Sequence, residues 1–120
     1  RTDRAPAAIG PYSQAVKSGG FVFCSGQIAL KSDGTFIEGD IKAQVVQVIE
    51  NLQAVLKACG SDLNKVVKTT LYLVDIADFA VVNEVYGSYF LSENKPARAT
   101  VAVNQLPKGA KVEIDCIAEL

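Results

Sequence analysis

Apolar residues recur in two rhythms along this chain, and the rhythms divide it into elements. Over residues 41–59, Ile41, Val45, Val48, Ile49, Leu52, Val55 and Cys59 return at helical spacing, which predicts an amphipathic helix. Asp40 stands where it can cap the N-terminus and Gly60 where it can end the helix. A second stripe, Phe79, Val82, Tyr86 and Phe90, predicts a helix that starts at an Asp78 cap and runs to about Leu91. Gly87 weakens it by ~1 kcal/mol relative to alanine. Asn83 interrupts this stripe, and a polar side chain there is expected to hydrogen-bond neighbouring backbone.

The remaining apolar segments follow the shorter period of strands. Pro6 and Pro11 keep the first segment extended. Tyr12 to Lys17 and Phe21 to Gln27 read as strands of a hairpin closed at Ser18-Gly19-Gly20. Ser32-Asp33-Gly34 marks a further turn. Val66 to Val74 is rich in β-branched residues and predicts a strand. After Lys95-Pro96, Ala97 to Asn104 and Lys111 to Glu119 read as two more strands, joined through Leu106-Pro107-Lys108-Gly109. The order β-β-α-β-α-β-β predicts one α+β domain over residues 1–120, with two helices covering one face of the sheet.

The strands also assign faces. Val67, Thr69, Leu71 and Leu73 suit a side packed on the helices, against Val66, Lys68, Thr70, Tyr72 and Val74. The same alternation sets Ala99, Val101 and Val103 against Arg98, Thr100, Ala102 and Asn104. In the last strand it sets Val112, Ile114, Cys116 and Ala118 against Glu113, Asp115, Ile117 and Glu119. One face is dry, the other mixed, and no third helix is left to cover the mixed one. A closed cyclic oligomer would bury it; a monomer with one wet face is the alternative.

Composition narrows the function. The 120 residues are 49% hydrophobic and 21% charged, with a net charge of −1 and a pI of about 5.4, as in an ordinary globular domain. No basic cluster is present, so a nucleic-acid partner is not expected. The chain has no histidine, which removes the usual Ser/His/Asp and Cys/His nucleophile systems and the commonest metal ligand. Neither zinc-ligand spacing nor a phosphate-binding glycine motif occurs. Cys24, Cys59 and Cys116 are widely spaced within apolar runs and read as reduced, buried thiols of a reducing compartment. No apolar stretch is long enough to span a bilayer, so no membrane partner is expected. A signal peptide is not visible, and the sequence begins at Arg1 rather than Met. The expected location is cytoplasmic, or mitochondrial if an upstream segment was removed.

Few groups remain that could carry chemistry. Arg98, opening a strand on the mixed face, suits either two-pronged binding of a carboxylate or a surface or interface salt bridge. Glu113, between Val112 and Ile114, is either a solvated strand residue or a partly desolvated carboxylate able to handle protons. Because their strands read as consecutive and hairpin-like, the two could lie close together or serve neighbouring sites. Tyr12 could stack on a ligand or pack into the core.

Several segments resemble those of one family. Ala5-Pro-Ala-Ala-Ile-Gly-Pro-Tyr-Ser-Gln14, Ser25-Gly-Gln-Ile28, Val67-Lys-Thr-Thr70, Phe79 through Asn83 to Tyr86, Pro96-Ala-Arg-Ala-Thr100, Leu106-Pro107 and Val112-Glu-Ile114 are similar to the motifs of the reactive-intermediate deaminase (Rid, or YjgF/UK114) family. They occur in the same order and with compatible spacing over nearly the whole chain. The resemblance implies a chorismate-mutase-like α+β fold assembled into a barrel-like homotrimer with clefts between subunits. It also implies hydrolysis of 2-enamine and 2-imino acids (2-aminoacrylate, 2-iminopropanoate, 2-iminobutanoate) to 2-oxo acids and ammonia, with neither cofactor nor metal. Within it Arg98 matches the carboxylate-binding arginine and Glu113 the residue that positions water. Tyr12 and Gly26 match residues bordering the cleft, and Asn83 lies near it. Thr100 stands where cysteine is common, so no thiol can be essential there, and Ala29 stands where proline is common. Other readings are a ligand-binding or chaperone-like trimer without turnover, and an endoribonuclease acting as a translation inhibitor. The net charge and the missing histidine argue against the last.

Overall fold

A computed structural model describes all 120 residues. The strands are β1 (Ala15–Ser18), β2 (Phe21–Gln27), β3 (Val66–Leu73), β4 (Ala97–Ala102) and β5 (Val112–Glu119), and the helices are α1 (Ile41–Ala58) and α2 (Phe79–Tyr89). The strands form one mixed sheet in the order β1-β2-β5-β3-β4. β1, β2, β5 and β3 pair antiparallel along that order, whereas β4 lies parallel to β3 at the edge. A parallel pair requires a crossover, and α2 supplies it.

The helix ends follow local chemistry. The Asp40 carboxylate accepts from the backbone N–H of Lys42 at 3.0 Å, the capping expected of an aspartate before a helix. Gly60 follows α1 at φ 84°, the left-handed conformation that glycine adopts without a Cβ penalty. At α2 the expectation is corrected. Asp78 makes no capping bond; the helix is preceded by a 3-10 turn, Ile76–Asp78, and Asp75 accepts from the Ala77 N–H at 2.9 Å. The helix also ends at Tyr89, short of Leu91.

The core lies between the helices and one sheet face. From α1 it takes Val45, Val48, Ile49, Leu52, Val55 and Leu56, and from α2 Val82, Val85 and Tyr86. The sheet contributes Val22, Leu71, Leu73, Val112, Ile114 and Ala118, with the free thiols of Cys24 and Cys116. Burying each large aliphatic side chain stabilises by roughly 1.5–3 kcal/mol. Two buried amides fasten irregular chain to α1. Asn51 Nδ2 donates to the carbonyls of Ile28 and Leu30 at 3.1 and 2.8 Å, and Gln44 Oε1 accepts from the Lys111 N–H at 2.9 Å.

Four strand expectations are overturned. Tyr12 to Gln14 lie outside β1, whose first residue is Ala15. Val66 is buried and Val67 exposed because the register of β3 against β5 shifts between Val66 and Lys68; an extra residue in one strand flips the faces before it. The third concerns β4. Arg98 pairs with Thr69 and Thr100 with Leu71, and both partners are core residues. Arg98 and Thr100 therefore share the helix face, while Ala99 and Val101 belong to the open one. β4 and β5 are no hairpin, since β3 lies between them. The open face carries Val16, Phe23, Tyr72, Val101 and Ile117; Val16, Phe23 and Val101 are exposed in the single chain.

Candidate functional site

The open face and the amino-terminal segment enclose a cavity of about 540 Å³ that Tyr12, Gly26 and Glu113 all line. Its position depends on how the first residues are tethered. Gln14 is buried; its Oε1 accepts from the Thr2 N–H at 2.8 Å, and its Nε2 donates to the carbonyls of Thr2 and Pro6 at 3.0 and 2.8 Å. One side chain thus turns residues 2–6 back over the sheet edge and leaves Tyr12, half exposed, on the cavity wall. Ser25 Oγ donates to the Ser13 carbonyl at 2.5 Å and closes the same loop.

Gly26 lies where the register of β2 against β5 shifts, between Cys24 and Gln27. A Cβ on Gly26 would collide with the Glu113 carboxylate and lie 2.9 Å from its Cδ. Glycine is needed here for close approach, and the space it leaves holds the carboxyl group. Glu113 is half-buried, and removal from water raises its pKa above the ordinary carboxylate value; the neighbouring negative charge of Asp115 pushes in the same direction. Asp115 in turn accepts a hydrogen bond from the Tyr72 hydroxyl at 3.1 Å. Lys108, which sequence reasoning treated only as part of a turn, also lines the cavity, and its φ of 58° is the only positive value outside glycine.

Arg98 is held elsewhere. Its Nη1 donates to Asn83 Oδ1 at 2.7 Å, and its Cζ lies over the rings of Phe79 and Tyr86, 5.4 and 5.0 Å from their centroids. All three contacts are neutral groups of α2. Asn83 is exposed and accepts from a side chain, a correction to the expectation that it bonds to neighbouring backbone. Thr100, half-buried, lies two residues further along the same strand face.

The candidate residues therefore fall into two separate groups. Arg98, Asn83 and Thr100 sit on the helix side at the β4 edge; Tyr12, Gly26 and Glu113 line the cavity on the open side, with Glu113 on β5 and β3 between it and β4. Arg98 and Glu113 do not meet within one chain, because β3 lies between their strands and they face opposite sides of the sheet. No three of the chain's Cys, Asp and Glu residues gather as metal ligands would.

A mixed sheet with both helices on one face and, on the other, a cleft whose one carboxylate is Glu113 defines a recognisable class of small proteins. Residues 2–120 match the family described as Endoribonuclease L-PSP, and the chain belongs to this Rid (YjgF/UK114) family. A RutC family protein of Pyrococcus horikoshii is 52% identical over 98% of this chain and 93% of its own. The 2-iminobutanoate/2-iminopropanoate deaminase of Mus musculus is 48% identical over 98% of this chain and 87% of its own. Among solved structures, E. coli TdcF with bound serine superposes with a TM-score of 0.93 at 40% identity, covering 100% of this chain and 96% of that one.

Proposed function

We propose that this protein is a deaminase of 2-imino and 2-enamino acids, assembled as a homotrimer whose sites join the Arg98 half of one subunit to the Glu113 half of its neighbour. The observation that carries the reading is the state of Arg98. An arginine stabilised by a carboxylate would be neutralised, whereas this one is oriented by an amide and two ring faces. Its unused donors fit the two oxygens of a carboxylate. The opposing half offers a carboxyl group of raised pKa in a partly apolar cavity.

Such a pair suits a simple reaction. Arg98 holds the substrate carboxylate and so fixes the adjacent C=N carbon. Glu113 accepts a proton from water as the oxygen attacks that carbon and passes it to nitrogen, giving the carbinolamine; it then relays the hydroxyl proton to nitrogen as C=O forms and the C–N bond breaks. The products are a 2-oxo acid and ammonia; an enamine substrate is first protonated at carbon to give the imine. Tyr12 and Gly26 bound the pocket, and Thr100 adds a polar group beside the carboxylate. The imine is already electrophilic, so placement and one proton carrier suffice, and neither metal nor cofactor is required. The deaminase activity named for the mouse relative and the serine bound in TdcF support the same ligand class, a small acid bearing nitrogen on the carbon next to the carboxylate.

The test is a coupled assay. Serine dehydratase generates 2-aminoacrylate, and 2-oxo acid release is followed with and without this protein. Acceleration that disappears in Arg98→Ala is expected. Absence of acceleration from folded, trimeric protein would favour a binding protein that uses the same cleft without turnover. Ribonuclease activity, suggested by the family's description, finds no support in the net charge of −1 or the lack of histidine.

A further inference from the structure

Phe79, Asn83 and Tyr86 stand on successive turns of α2, and all three meet the Arg98 guanidinium. Both ring distances fall inside the range where a cation is drawn to an aromatic face. Tyr86 is itself immobilised. It is buried, stacks on Phe90 with ring centroids 4.3 Å apart, and shares a hydrogen bond of 2.9 Å with the hydroxyl of Thr69. Thr69 is completely buried on the core side of β3 and is the strand partner of Arg98. The hydroxyl pair thus ties α2 to the sheet beside the arginine, while burial and the stack on Phe90 hold the ring on which its guanidinium rests. Asn83 takes one of the five guanidinium donors, leaving the remainder for a ligand.

We infer that Phe79 and Tyr86 are positioning residues for carboxylate recognition, presenting the Arg98 fork in one orientation before any ligand arrives. An unsupported arginine on an edge strand would sample many rotamers and lose that freedom on binding. The two rings restrict it beforehand, and being uncharged they leave its positive charge for the substrate. This inference rests on the reading that Arg98 receives the substrate carboxylate.

The experiment separates the ring from the hydroxyl. Tyr86→Phe and Tyr86→Leu both lose the bond to Thr69 and both lower Tm, but only the leucine variant loses the aromatic face. Steady-state kinetics on 2-aminoacrylate, and calorimetric titration with pyruvate as a 2-oxo acid probe, should agree. Tyr86→Leu is expected to raise KM and the pyruvate Kd about five- to tenfold with kcat nearly unchanged, the size of a lost cation–π contact. Tyr86→Phe should stay within about twofold of the parent. Phe79→Leu, at a partly buried position, should raise KM about threefold and carries the test if Tyr86→Leu does not fold. Equal KM values for the Phe and Leu variants of Tyr86, or no rise in either leucine variant, would overturn the inference. Unchanged pyruvate affinity in Arg98→Ala would instead remove the carboxylate reading, and this inference with it.

Discussion

Glu113 and Gly26 act as a pair at the scale of single residues, because the carboxyl group occupies the space where a side chain at 26 would be. Gly26→Ala should therefore displace Glu113 or part β2 from β5, at about 1–3 kcal/mol for overpacking. The expected result is a folded protein with a small fall in Tm and a large fall in kcat, read by thermal denaturation and the coupled assay. Glu113→Gln tests the raised pKa from two directions. A carboxyl group whose folded pKa lies above its unfolded value favours folding when protonated, and that contribution is lost as pH rises through the folded pKa. At neutral pH the native chain holds a partly buried charge that glutamine lacks. Glu113→Gln should thus raise Tm at neutral pH while removing activity, and the gain should vanish below the ordinary carboxylate range. The acidic limb of kcat/KM should lie above that range in the parent. A parent protein whose rate is indifferent to pH above the ordinary carboxylate range would contradict the proton-carrying role.

Elements decide whether these residues meet their partners. α1 does more than cover the sheet, since Asn51 bonds the carbonyls of Ile28 and Leu30, two cavity-lining residues. Asn51→Leu would leave the Leu30 carbonyl unpaired, while that of Ile28 keeps the Leu30 N–H, costing roughly 1–3 kcal/mol. The denaturant midpoint should fall and KM should rise as the cavity wall loosens. Both helices and the positions of all five strands were legible in the sequence, because a long amphipathic stripe and a β-branched run allow few other packings. Ends and faces were less legible. Period-two reading held along β5 but failed at Val66, where a bulge inserts a residue, and along β4. There Arg98 and Thr100 look like outward residues by polarity, yet face α2. A guanidinium over two rings is satisfied on the helix side, and nothing in its immediate neighbours announces those rings.

For the whole molecule, the open face and the divided site lead to the same expectation. Val16, Phe23 and Val101 present apolar surface that a partner of the same sequence could cover. Phe23→Glu should yield folded monomer by analytical ultracentrifugation, with activity lost along with the trimer. Complementation offers a sharper test. Arg98→Ala and Glu113→Gln should each be inactive alone. Unfolded together and refolded as mixed trimers, they should recover about a quarter of the parental sites, as random assortment around a cyclic interface requires. No recovery from trimers shown to be mixed would overturn the shared site.

The sequence by itself determined the α+β class, the two helices and the end signals of α1 at Asp40 and Gly60. It also named the small set of residues that could do chemistry, because periodicity, composition and motif are local properties of a chain. Tertiary structure decided the strand order β1-β2-β5-β3-β4, the side of the sheet on which Arg98 lies, and the separation of Arg98 from Glu113. Those features depend on which distant strands pair and on where a bulge shifts the register. Such choices are settled by packing against α1 and α2, which no short stretch of sequence contains.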